Sequence, residues 1–147
     1  MTDAPHSAVP RGVYLLAASG LLPFAASLAL ALMDMQWRGM ALLVFIGYGA
    51  VILSFIGGTR WGRGMAHALH TSHFVEAVLP SGLAFVAMLM IHKPTWSLAL
   101  LAIGFATWLV IDIRDPLWSR PYRWMRWWLS LAVLAMHAAW IPLLSGH

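Results

Sequence analysis

Three groups of residues in this sequence of 147 carry side chains that could do chemistry. The first is a histidine tract, His67, His70 and His73, followed by Glu76. Imidazoles three residues apart share a helix face and could ligate zinc. The full set turns through about 180° on a straight helix, so convergence on one ion requires a break near Thr71 and Ser72. Without that break the tract is a solvated, histidine-rich loop. His137 lies alone inside an apolar run, where an ionisable side chain is a functional suspect, although a neutral imidazole bonded to a nearby carbonyl is the commoner arrangement. Haem held by two histidines would need His92 as the second ligand. The absence of cysteine removes disulfides, thiolate metal sites and iron–sulfur clusters. No paired carboxylates fall within the apolar runs, and Ser54 has no base near it in sequence. The sequence therefore nominates no catalytic residue and no cofactor.

The second group is built on arginine. Arg60 ends an apolar run at the same side as Asp112 ends another, and a guanidinium at such a boundary either pairs with a carboxylate or reaches to headgroups. An Arg60–Asp112 ion pair is one expectation, and two solvated side chains are the other. The third group interleaves Trp118, Tyr122, Trp124, Trp127 and Trp128 with Arg120, Arg123 and Arg126. Indoles settle at headgroup level and guanidiniums meet phosphate, so 118–128 is expected to lie in an interface and anchor the helix that follows. Arg60, Trp61, Arg63, Arg120, Tyr122, Arg123 and Arg126 together are candidates for binding an anionic lipid or a membrane partner.

The elements that must position these residues are membrane helices. Hydrophobic residues make up 61% of the chain and charged residues 10%, more apolar surface than a soluble domain of this size can hide. Apolar runs occupy 13–33, 40–59 continuing to about 66, 77–91, 96–111 and 127–144. Runs of about 20 residues at 1.5 Å each suit a hydrocarbon layer of about 30 Å. The expected fold is all-α: one integral membrane domain, 1–147, of about five transmembrane helices. The first run reads as a retained signal-anchor, bent at Pro23 with Ser19 re-satisfying the freed carbonyl. Small residues at Ala50, Ser54, Gly58, Gly62 and Ala66 recur every fourth position, which predicts close packing of the second helix against a neighbour or a second copy.

Basic residues fix the expected orientation. Arg11, Arg60, Arg63, Arg114, Arg120, Arg123 and Arg126 fall on one side, and Arg38 and Lys93 on the other. Lys and Arg resist translocation, so the amino terminus is expected inside and the carboxyl terminus outside. The same asymmetry accounts for the net charge of +4 without a nucleic-acid partner.

The run FIGGTRWG from Phe55 to Gly62, with Gly20-Leu21-Leu22-Pro23-Phe24 before it and Leu79-Pro80-Ser81 and Pro121-Tyr122-Arg123 after it, resembles the membrane family of transmembrane protein 69. The resemblance covers nearly the whole chain and implies a multi-pass membrane protein. It implies no activity or cofactor, and it makes Gly57, Gly58, Arg60, Trp61, Gly62, Pro80, Tyr122 and Arg123 candidates without assigning roles. Eight arginines against one lysine favour a GC-rich bacterial source, hence the bacterial plasma membrane. Two function classes stand: an accessory protein that binds lipid or a larger membrane complex, and an oligomeric small-solute transporter or channel with helices broken at Pro23 and Pro80. An enzyme ranks third.

Overall fold

The computed structural model describes residues 10–145, so the outer ends of the expected 1–147 domain lie outside the described residues. The described residues form α1 (Arg11–Ser19), α2 (Leu22–Met33), α3 (Arg38–Ala66), α4 (Thr71–Leu89), α5 (Pro94–Arg114) and α6 (Arg120–Ser145), with a short 3-10 turn, Met35–Trp37, leading into α3. Because α1 and α2 follow one another, five stretches are long and apolar enough to cross a membrane. The fold is an all-α, multi-pass membrane bundle.

Three element boundaries differ from the sequence expectation, each for a local reason. The first span divides at Gly20–Leu21, ahead of Pro23. Proline has no N–H to give and its ring crowds the carbonyl four residues earlier, that of Ser19, so the helix stops and restarts with Pro23 in its first turn, where no donor is needed. The Gly20 and Leu21 amides close the first segment on the Ala17 and Ala18 carbonyls at 3.2 and 3.0 Å. The Ser19 hydroxyl donates to Leu16 O at 2.8 Å and so bonds within α1 rather than bridging the break. Helix α4 begins at Thr71, six residues before the expected 77, because His70 adopts an extended conformation and its imidazole caps the Ser72 amide. Helix α6 begins at Arg120, with the Ser119 hydroxyl accepting from the Tyr122 amide at 3.4 Å. From Arg120 onward the arginine–tryptophan stretch is therefore the first turns of a spanning helix and not a separate interfacial segment.

Helix α3 touches α2, α4 and α5, and α6 closes the ring by packing on α5 and α2. Phe24, Phe45, Leu53, Leu101, Phe105 and Trp140 fill the centre, all buried. The α4–α5 hairpin is fastened by the buried Ser97 hydroxyl donating to Ala87 O at 2.6 Å. Leu15, Val51, Phe55, Phe85, Ile103 and Ile141 point outward, a girdle that lipid and not water must cover.

The close helix contact lies one residue away from the expected ridge. A Cβ on Gly57 would stand 2.3 Å from the Ala77 carbonyl oxygen and 3.3 Å from Pro80 of α4, whereas a Cβ on Gly58 or Gly62 would meet nothing within 4 Å. Ala50 is buried and Ser54 half-buried, but Gly58, Gly62 and Ala66 are exposed. A strict spacing of four drifts by about 40° per step on a helix of 3.6 residues per turn. The ridge consequently winds off the interface, and the buried line runs through Gly49, Leu53, Gly57, Arg60 and Gly64.

Candidate functional site

Helices α3 and α5 are two crossings apart and hence parallel, so residues spaced alike on each come into register. Arg60 and Arg63 on α3 match Asp112 and Asp115 at the end of α5, each pair 52 residues apart in sequence. Arg60 Nη1 donates to Asp112 Oδ1 at 2.7 Å, and Arg63 Nη2 donates to Asp115 Oδ2. Two more elements join this ladder. Glu76 of α4 accepts from Arg60 Nη2 at 3.0 Å, and Arg126 Nε of α6 donates to Asp112 Oδ2 at 3.0 Å. Three guanidiniums meet three carboxylates, and the ends of four helices are tied together.

Helix geometry sets the depth. The 29 residues of α3 extend about 43 Å, beyond the roughly 30 Å of hydrocarbon. Its last two turns, which carry Arg60 and Arg63, therefore emerge at the headgroup boundary. The Arg60 and Asp112 side chains are nonetheless only 3% and 1% exposed, while Glu76 is 45% exposed. The helix dipole favours Arg63 in the last turn of α3 and disfavours Asp112 in the last turn of α5, where the guanidiniums of Arg60 and Arg126 offset that penalty by donating to its carboxylate. A charge taken out of water is costly unless paired, so this arrangement specifies which helix ends meet more than it adds raw stability.

Asp115 lies just beyond α5. Burial pushes its carboxyl upward, but hydrogen bonds from Arg63 and the Leu117 amide, with the charges of Arg63 and Arg60, outweigh burial and hold it below the ordinary carboxylate value. A lowered folded pKa means that the contribution is complete above the unfolded value, near pH 3.9, and is lost as pH falls through the folded one. The stability gap between the wild type and Asp115→Asn in thermal melts is accordingly expected to be widest at neutral pH and to shrink toward pH 3.

The remaining sequence candidates separate into different places. Arg63 also lies over the Trp118 ring, 4.3 Å from its centroid, and Trp118 stacks on Tyr122 at 4.1 Å. Arg123 donates to Ile113 O at 3.4 Å and Arg120 is exposed. Trp61 packs edge-on against Phe74 of α4. Among the described residues no three His, Asp or Glu side chains gather as a metal site. The chain does break within the histidine tract, but at Ala68, held at φ 48°, and not at Thr71–Ser72. His67 is thereby left at the end of α3, while His70 turns its ring onto its own helix. His137 bonds to Val133 O of α6 at 2.9 Å and is ringed by Phe24, Phe45 and Phe105, while His92 is exposed at the α4–α5 turn. Sequence reasoning passed over Asp115 and the arm from Arg126 to Asp112. The signal available was the equal spacing of Arg60/Arg63 and Asp112/Asp115.

An all-α bundle of five apolar spans, latched at one end by a balanced set of arginines and carboxylates, defines a multi-pass integral membrane protein. The chain belongs to the family described as "Protein of unknown function (DUF3429)", which matches residues 9–141. It is also similar to transmembrane protein 69 of Xenopus tropicalis, 27% identical over 131 residues, which cover 84% of this chain and 50% of the relative. The chain thus spans about half the length of that relative. No solved structure matches.

Proposed function

We propose that the protein is an accessory component of its membrane that binds anionic lipid, or a membrane partner, through the start of α6. The observation that carries this reading is the division of the arginines. Arg60, Arg63 and Arg126 are neutralised within the bundle, whereas Arg120 and Arg123 have no carboxylate within ion-pair distance among the described residues. Beside them Trp124, Trp127 and Trp128 are exposed, at 64%, 39% and 51%, as indoles at a headgroup boundary should be. Seven of the nine basic residues lie at this end. On that count the end faces the cytoplasm, with the amino terminus inside and the carboxyl terminus outside, in a bacterial plasma membrane.

Native mass spectrometry of the detergent-purified protein tests the reading. Arg120→Gln together with Arg123→Gln is expected to reduce retained anionic lipid about thirtyfold, at about 1 kcal/mol for each cation at an anionic surface, with the melting temperature unchanged. Equal retention by the variant contradicts it. A transporter or channel has less support, since Phe24, Phe45, Leu53, Leu101, Phe105 and Trp140 fill the axis a path would follow. Such a path would need a second copy, for which the open face of α3 at Gly58 and Gly62 is the available seam.

A further inference from the structure

A cavity of about 420 Å³ lies between the α1–α2 span, α3 and α6, within the roughly 300–1,000 Å³ of pockets that hold small organic ligands. Its walls are almost wholly apolar, with Leu16, Phe24, Ile56, Phe105 and Val133 among them. Its polar lining is Thr59 of α3 with Tyr122, Arg126 and Ser130, which follow one another at four-residue steps along α6. Arg126 and Ser130 are one helical turn apart and so share a face. Arg126 gives its Nε to Asp112, but its Nη2 is buried with no acceptor among the described residues. Ser130, 2% exposed, likewise has a buried hydroxyl without a partner. A buried donor left unmade is costly, and two such donors on one wall of one cavity ask for an acceptor from a ligand.

The charge balance selects the kind of acceptor. Each guanidinium of the latch already has a carboxylate, so the Nη2 donor needs no further negative charge and suits a neutral oxygen. We propose that this cavity holds the hydrocarbon chain of a membrane amphipath whose carbonyl oxygen accepts hydrogen bonds from Arg126 Nη2 and Ser130 Oγ. Arg126 belongs to the latch, Ser130 lies one turn farther along α6, and the apolar Val133 lies beyond both. The head therefore sits at the level where a bilayer keeps its ester groups, and the tail points toward the membrane centre. Two kinds of molecule carry this chemistry, an acyl-ester lipid and a quinone with an apolar tail. This site is separate from the lipid-facing arginines of α6, and zwitterionic probes keep the two readings apart.

The full-length protein, delipidated in detergent, would be offered dioleoyl phosphatidylcholine, its ether-linked analogue lacking the carbonyls, and a decyl-substituted benzoquinone, with retention measured by native mass spectrometry. Retention of the ester lipid about tenfold above the ether lipid, the worth of about one hydrogen bond, identifies an acyl lipid. Retention of the quinone with no difference between the two lipids identifies a quinone. In either case Ser130→Ala is expected to reduce retention several-fold, and Ala17→Phe, which fills the cavity from α1, to abolish it without disturbing the latch. Equal retention of ester and ether lipids with no bound quinone overturns the proposal, as does retention unaffected by Ala17→Phe. Arg120→Gln with Arg123→Gln is expected to leave these probes bound, so failure at one site is distinguishable from failure at the other.

Discussion

Replacing Asp112 with asparagine is expected to destabilise the protein by about 3–5 kcal/mol, the range for stripping a partner from a buried charge pair. Asp112 is 1% exposed and accepts from two guanidiniums, one on α3 and one on α6. Asparagine keeps the shape but removes the charge, which leaves Arg60 with the half-exposed Glu76 and with Asp115 at 3.9 Å, and Arg126 with no carboxylate partner. Arginine cannot shed its proton in response, so it must drag water into the helix junction or swing out to headgroups. Either movement parts the ends of α3, α5 and α6. Glu76→Gln provides the scale for comparison. Its carboxylate is 45% exposed, so its loss is expected to cost about 1 kcal/mol or less. Denaturant unfolding in mixed micelles measures both, and a Glu76 variant as damaged as the Asp112 variant would place the weight of the latch on the wrong carboxylate.

The second large effect is expected at Gly57. Alanine there places a methyl 2.3 Å from a backbone carbonyl of α4, which no rotamer change relieves, so α3 and α4 must separate along their longest shared face. A loss of about 1–3 kcal/mol or more follows from overpacking of this kind. Gly58→Ala, one residue away with nothing within 4 Å, is expected to be neutral or slightly stabilising in the same assay, because alanine is the better helix former. A reversed order of the two would mean that α3 is rotated from the phase described here.

How much of this was legible in the sequence depends on whether the deciding physics was local or between helices. The spans were legible because hydrocarbon imposes a length and forbids charge, and 13–33 and 40–59 satisfy both on their own. Arg60 and Asp112 were legible as candidates for pairing because each closes an apolar run at the same end. Arg126 was not, since its partner depends on α6 starting at Arg120, and the first turns of that helix read as a surface anchor. Asp115, past the end of α5 and followed by proline, lies outside every apolar run and drew no reading. Its role arises only when two parallel helices place equal spacings side by side. The glycine ridge failed for a related reason: a pattern of four in sequence is not a straight line on a helix, and Gly57 rather than Gly58 faces the neighbour. The division of the first span needed the position of Pro23 relative to Ser19, which was available, and the choice of Gly20 as the stop, which was not.

The cavity beside the latch was not legible at all. Ser130 and Thr59 are ordinary small polar residues in apolar helices, and only the meeting of α1, α3 and α6 sets them around one space. Such residues commonly bond to their own helix, as Thr59 does to Ile56 O at 2.7 Å. Ser130, lacking that bond, stands out only once the structure is known.

Arg60 and Asp112 act as one unit that fastens helix ends at the membrane boundary. A double-mutant cycle with Arg60→Gln and Asp112→Asn, read by unfolding in mixed micelles, tests that coupling. Arg60→Gln is expected to be the milder single change, because Asp112 keeps Arg126, and the double variant to be less damaged than the two singles combined, with a coupling of about 1–3 kcal/mol. Effects that add within about 0.5 kcal/mol would show that the two charges act independently, and the latch would not exist.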